Sequence, residues 1–421
     1  MFEVLRRFRT FDRPSQILMV NQFTINLGFY MLMPYLAGYL AGPLGLAAWM
    51  IGFVLGVRNF SQQGLFLVGG TLADRFGYKP MIVAGCVMRT CGFVLLAFAT
   101  SLPTIILASA ATGFAGALFN PAVRAYLAAD AGDRRLEAFA VFNIFYQAGI
   151  LLGPLVGLAL TMLDFRVTCI VAASLFGVLT VMQMVTLPPH KKTLSSGERT
   201  RIRDDWRAVL ANRTFVLFAI TMISSYVLSF QVYLALPLHA AVVVGPDRDD
   251  TALVTALFVV SGLVAVLAQL RITTLCKRWL GRDRSLCIGL AVMAVAFAPL
   301  VVFGEPAFAG RATAAGALLL SAALLAVGTA IVFPFEMDTI VALSGGRLVG
   351  THYGFYNTVV GVGILAGNLG TGALVGALRS AAAGTFVWVV LSSLGLICAG
   401  AMAVLVRRRD LTAPPTTLIA T

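Results

Sequence analysis

Apolar residues run along this chain in blocks of roughly 20 or more, with the polar residues gathered into short breaks between them. A helical block of that length crosses a hydrocarbon core of about 30 Å. The blocks do not alternate polar and apolar positions, which excludes a closed barrel and leaves helices as the expected class. Twelve blocks fit, at about 15–40, 47–72, 80–100, 103–128, 137–162, 166–187, 213–238, 251–274, 284–304, 312–341, 349–377 and 385–406. The pattern therefore predicts an all-α integral membrane protein with twelve transmembrane helices. The one long polar stretch, 188–212, divides six spans from six. The expected organisation is an N-terminal six-helix bundle over 1–187, a cytoplasmic linker over 188–212, a C-terminal six-helix bundle over 213–408 and a disordered tail over 409–421. Within the linker, Trp206 and its basic neighbours predict a short helix on the membrane surface.

Composition agrees. The 421 residues are 59% hydrophobic and 12% charged, a balance that would leave large apolar patches on a water-soluble protein. The net charge of +13 fits nucleic acid only if it is clustered on one face, and here it follows the spans instead. Arg6, Arg7, Arg9 and Arg13 precede the first span, and seven Lys or Arg lie from Lys191 to Arg213. Lys277, Arg278, Arg282 and Arg284 form a later loop, and Arg407 to Arg409 follow the last span. All fall on one side if the spans alternate, whereas the other side shows Arg166, Arg248, Arg311 and Arg379. That asymmetry puts both termini in the cytoplasm, with the bilayer and not nucleic acid as the partner. The six cysteines, at 86, 91, 169, 276, 287 and 398, lie in or beside apolar segments without zinc-like spacing, so neither disulfides nor a metal are expected. The basic, then apolar, N-terminus reads as a first helix that stays and not as a cleaved signal.

The two halves are related. Gly149-Ile-Leu-Leu-Gly153-Pro154-Leu recurs as Gly363-Ile-Leu-Ala-Gly367-Asn368-Leu at an offset of 214. Phe119-Asn-Pro121 recurs as Val332-Phe333-Pro334 at an offset of 213. Parallel repeats of six spans form a transporter architecture whose substrate path lies near the midplane.

The loop from Gly69 to Pro80, Gly-Gly-Thr-Leu-Ala-Asp-Arg-Phe-Gly-Tyr-Lys-Pro, is charged and punctuated by glycine between two apolar spans. It resembles the loop signature of the major facilitator superfamily, G-x-L-A-D-R-x-G-R/Y-K/R. Gly149, Gly153, Pro154 and Gly157 resemble the antiporter signature of its drug:proton branch, G-x-x-x-G-P-x-x-G. Gly56 to Gly64, Ala73 to Val83, Met88-Arg89 and Asp164-Phe-Arg166 extend the likeness to that branch over about 400 residues. The resemblance implies a bacterial inner-membrane protein, working as a monomer and without cofactor. It places the 69–80 loop on the cytoplasmic side, holding the outward-facing state. Gly70 and Gly77 would pack tightly there, Asp74 would meet the start of the eleventh helix, and Arg75 and Lys79 would pair with acids such as Asp130. The matching loop of the second half, Lys277 to Arg282, keeps its cations and a glycine but lacks the acid. For the antiporter motif, helix packing and a direct mechanistic role both stand.

Charges inside spans are costly and default to functional candidates. Here they are Arg58, Arg89, Arg124 and Arg271, with the acids Glu336 and Asp338. Arg124 follows Pro121, and both acids follow Pro334, so the duplication puts cation and acids at related sites in opposite halves. An interdomain gate pair is one reading, and proton carriage by Glu336 or Asp338 is the other. Relatives of this type can carry an acid in the first span where this chain has Asn21, which leaves those two as the remaining intramembrane acids. Third helices in this family tend to be peripheral, so Arg89 is expected to have a structural partner and not to contact substrate. Gln22, Asn26 and Tyr30 share one face of the first span, which also carries Asn21 and Tyr35. With Arg58 and Gln62 in the second span and Asn143, Tyr146 and Gln147 in the fifth, they are the candidates for a substrate cavity. No Ser-His-Asp arrangement or zinc cluster supports an enzyme. The preferred function is proton-coupled efflux of small amphipathic compounds or drugs by alternating access. Transport of an anionic metabolite or lipid-like substrate is the second reading, and a non-transporting membrane sensor is the third.

Overall fold

The computed structural model describes residues 2–32, 36, 39–40, 44, 48–161, 164–188, 201–245, 251–379 and 385–408. Tyr35, most of the linker before residue 201 and the 409–421 tail lie outside them. Every regular element among the described residues is helical. Two compact units result, one of residues 1–211 with 346–358, the other of 212–345 with 359–421.

The first unit begins with α1 (Phe2–Phe8), α2 (Arg13–Tyr30), α3 (Ala48–Gln63) and α4 (Phe66–Phe76). It continues with α5 (Tyr78–Phe98), α6 (Leu102–Ala131), α7 (Arg135–Thr161), α8 (Phe165–Thr186) and α9 (Ile202–Ala211). α6 is the central helix, packed against α3, α4 and α5, while α2 lies along α7 and α5 along α8. Small residues permit this. A Cβ on Gly85 of α5 would lie 2.9 Å from the Ala115 carbonyl, and one on Gly92 would lie 2.6 Å from Thr112 Cγ2.

The second unit holds α10 (Arg213–Ser229), α11 (Ala235–Val244), α12 (Thr251–Trp279), α13 (Gly281–Val295), α14 (Ala298–Phe303), α15 (Pro306–Ala309) and α16 (Arg311–Ser344). α17 (Val349–Arg379) and α18 (Thr385–Arg407) follow, with the division between units falling inside α17 after Thr358. α16 is the central helix here, packed against α12 and α13, and α13 lies along α18. The helix pairs of one unit thus reappear in the other. Pro121 lies inside α6 and Pro334 inside α16, the matching central helices.

The glycine repeat has the same use in both units. In α7, a Cβ on Gly149 would lie 2.7 Å from Asn26 Cβ, one on Gly153 2.7 Å from Tyr30 Cβ, and one on Gly157 would run into the Met31 carbonyl. In α17, Gly363 faces Ile223, and a Cβ on Gly367 would lie 2.6 Å from Val227 Cγ1, both on α10. Each motif brings its helix onto the first long helix of its own half. Pro154 sits inside α7 one residue after Gly153.

Eight stretches among the described residues are long and apolar enough to cross a membrane, fewer than the twelve expected. Leu102–Gly157 is one of them at 56 residues, a length of about 84 Å if helical throughout, so it covers two of the expected spans. The expected span at 47–72 is divided into α3 and α4 by a turn at Gly64 and Leu65, leaving pieces of 16 and 11 residues. The span expected at 284–304 breaks between α13 and α14 just before Pro299, which has no backbone N–H to continue a helix.

Candidate functional site

The Gly69–Pro80 loop is the end of α4, the turn at Gly77 and the start of α5. Gly77 has φ +96°, a conformation that favours glycine, and a Cβ there would meet nothing nearer than Pro80 Cδ at 3.7 Å. Its role is the turn, not the tight packing expected. Gly70 does pack tightly. A Cβ there would overlap the Gly350 carbonyl and lie 3.2 Å from Gly354 Cα, so α4 and the start of α17 meet backbone to backbone.

Asp74, 4% exposed, closes this contact. Its carboxylate accepts from the Gly350 and Thr351 amides at 2.9 and 2.6 Å, from Thr351 Oγ1 at 2.6 Å and from Tyr78 Oη at 3.3 Å. Those amides belong to the first turn of α17, where donors lack intrahelical partners and an anion is favoured. Burial pushes the Asp74 carboxyl up to about 6, while the hydrogen bonds from Thr351, Gly350 and Tyr78 pull it down. A detached carboxyl returns towards its ordinary 3.8, so the docked form binds the proton more tightly. The stability this contributes is complete below 3.8 and is lost as pH rises through about 6. Amide exchange at Gly350 and Thr351, corrected for intrinsic rates, is therefore expected to be slower at pH 5 than at pH 7.5, with no such trend in Asp74→Asn. A flat wild-type profile would refute this.

The cations of the loop differ from expectation. Arg75 pairs with Asp205 of α9, Nη2 to Oδ2 at 2.6 Å, and not with Asp130. Asp130 instead accepts from the Ser15 amide at 3.1 Å and the Ser15 hydroxyl at 2.6 Å, in the first turn of α2. A helix N-terminus already satisfies that acid. Lys79 Nζ donates to the Met184 carbonyl at 2.8 Å in the last turn of α8, where a cation suits the dipole. α9 is the helix expected around Trp206. Its Asp205 and Val209 are buried, and Trp206 Nε1 donates to Thr71 Oγ1 at 2.8 Å. That face is turned onto α4.

Each member proposed for the interdomain gate pair has a neighbour within its own unit. Arg124 Nη1 donates to Asn357 Oδ1 at 2.8 Å within the first unit. In the second unit Glu336, 2% exposed, accepts from Tyr226 Oη at 2.8 Å, and Asp338 lies 3.8 Å from Arg282 Nη1.

A small polar cavity lies within the first unit, with a volume of about 60 Å³. Gln22, Asn26, Tyr30, Gln62 and Tyr146 line it as expected from the sequence, while Asn143 and Gln147 do not. Arg58 is not among the lining residues either, but it reaches two of them, giving Nη2 to Gln62 Oε1 at 3.0 Å and stacking on the Phe29 ring, while Nη1 goes to Asn59 Oδ1 at 2.8 Å. Two residues that sequence reasoning did not place here, Arg89 and Asn120, complete the wall with Ile25 and Phe29. Arg89 was expected to have a structural partner. It is buried against two rings, its Cζ 5.4 Å from the Phe29 centroid and 5.3 Å from that of Phe176. The signal available was an arginine in mid-helix and, opposite it on α6, Gly116, where a Cβ would lie 2.9 Å from Arg89 Nη2.

Comparison with known proteins places this geometry in context. A family model described as Major Facilitator Superfamily matches residues 18–368. The uncharacterised MFS-type transporter Rv0849 of Mycobacterium tuberculosis (strain ATCC 25618 / H37Rv) is 59% identical over 403 residues, 96% of this chain and 94% of that protein. The multidrug resistance protein MdtH of Shigella dysenteriae serotype 1 (strain Sd197) is 29% identical over 385 residues, 90% of each chain. Among solved structures, the nucleoside transporter NupG (D323A mutant) is similar with a TM-score of 0.61 at 15% identity, covering 93% of this chain and 100% of that one, a likeness of fold alone.

Proposed function

The chain belongs to the Major Facilitator Superfamily, a family of membrane-spanning transporters, and from that premise we propose that it exports small amphipathic compounds in exchange for protons by alternating access. The observation that carries proton coupling is Glu336. A carboxyl almost out of contact with solvent, inside a 34-residue helix and facing the neutral Tyr226 phenol, is the natural proton carrier of a membrane protein. Asp338, part-exposed and near the Arg282 guanidinium, suits a gate better. The MdtH relatives support the choice of drug-like cargo. The setting is a bacterial inner membrane, with twelve spans, cytoplasmic termini and a monomeric carrier.

The test is proton movement in reconstituted vesicles with an acidic lumen, challenged with cationic, neutral and anionic compounds. Compound-triggered proton efflux, absent from empty vesicles, is expected. Passage of labelled compound without proton movement would replace antiport by uniport and reduce Glu336 to a structural role.

A further inference from the structure

The cavity between α2, α3, α5, α6 and α7 is cationic, and none of the described residues lining it carries a counter-charge. Arg89 is 6% exposed and lines the cavity, and its Nε has no hydrogen-bond partner. Arg58 stacks on the same Phe29 ring, its Cζ 4.3 Å from the centroid, and its Nε is also without a partner. Gln22 Oε1, buried on the same wall, is unpartnered too. Among the described residues no Asp or Glu lines the cavity, and neither guanidinium forms an ion pair.

A buried cation needs a partner, because the low-dielectric interior withdraws its hydration. Ring faces offset part of that cost for Arg89 and Arg58. They do not use up the in-plane N–H donors, whose fork matches a planar or tetrahedral oxyanion. Asn120 adds an amide on the same wall, its own Nδ2 given to the Gly116 carbonyl at 2.9 Å. The volume of about 60 Å³ holds about four to six waters at roughly 10–15 Å³ each, the size of one head group and not of a drug.

We propose that this cavity binds the oxyanion head group, phosphate or sulfonate, of an amphiphilic substrate, with Arg89 as its principal ligand and Arg58 as the second cation. The proposal rests on the transport reading above and narrows its cargo to anionic amphiphiles. A soluble organic anion and an anionic lipid share this chemistry.

The test reads binding without transport, so a failure of proton coupling leaves it intact. Purified protein in phosphatidylcholine nanodiscs is heated with hexyl phosphate, hexanesulfonate, hexyltrimethylammonium or hexanol. A thiol-reactive dye reports unfolding through the buried Cys86 and Cys169. The two oxyanions are expected to raise Tm saturably and the other probes to leave it unchanged. Arg89→Gln is expected to lose that shift without a lower Tm of its own, because it removes an unpaired buried charge. A structural arginine would instead lower the ligand-free Tm. Asn120→Asp places a carboxylate on the cavity wall and is expected to abolish the shift as well, which keeps the test open should Arg89→Gln fail to fold. Equal shifts from hexyltrimethylammonium or hexanol, or a full hexyl phosphate shift in a folded Arg89→Gln or Asn120→Asp protein, would overturn the proposal. Replacing part of the lipid by phosphatidylglycerol separates the sources. A raised ligand-free Tm with no further response to hexyl phosphate identifies a lipid head group, and an unchanged response identifies a soluble anion.

Discussion

Glu336→Gln is expected to reduce compound-driven proton efflux to the level of empty vesicles, while Asp338→Asn keeps most of it. The two acids lie two residues apart on α16, so sequence alone treats them alike. Their surroundings differ. Glu336 is buried and accepts from the Tyr226 phenol. Asp338 is 14% exposed and lies 3.8 Å from the Arg282 guanidinium, an arrangement that suits a gate contact. Glutamine preserves the size of Glu336 and its ability to accept from Tyr226, so expression and Tm are expected to survive. Unchanged coupling in Glu336→Gln, Asp338→Asn and the double variant would remove both acids from the proton path. Loss in Asp338→Asn alone would reverse the assignment.

Gly70→Leu is expected to be the most damaging single substitution in the first unit. The new side chain would start inside the Gly350 carbonyl, and backbone on backbone leaves no rotamer to turn away. Overpacking typically costs about 1–3 kcal/mol and more where nothing can yield. Either the 346–358 segment leaves α4, releasing the four hydrogen bonds to Asp74 except that from Tyr78, or the protein fails to assemble. The measurement is Tm with amide exchange at Gly350 and Thr351. Gly77→Leu provides the contrast, since it strains a positive φ without filling a contact. Wild-type exchange at Thr351 in Gly70→Leu would mean that the close approach is absent in the membrane.

Much of this architecture is legible in the sequence. The apolar blocks marked the long helices, and the repeat at an offset of 214 marked equivalent helix contacts in the two units. The first-span polar face gave Gln22, Asn26 and Tyr30 because helical periodicity alone brings positions four apart together. Partners distant in the chain were not readable. Arg75 finds Asp205, 130 residues away, because α9 folds back onto α4, and no local pattern says so. Asp130 looked available because its hydrogen bonds come from Ser15, 115 residues earlier. The Arg89 site needed five helices at once, with Gly116 leaving the room that the guanidinium fills. The break at Gly64 and Leu65 lies inside an otherwise span-length block and carries little sign of itself. There Thr358 Oγ1 takes up the Leu67 amide at 3.2 Å.

The glycine contacts also bear on mechanics. Side-chain layers between helices act as bearings: rotamers adjust, and one helix can slide past its neighbour by small steps. Along α7, Gly149, Gly153 and Gly157 remove that layer and seat α2 directly in the groove. Gly363 and Gly367 do the same for α17 against α10. Such a joint resists shear much as a keyed shaft does. Each pair is expected to travel as one rigid lever, and the compliance that a transport cycle demands must then reside where side chains still separate the helices.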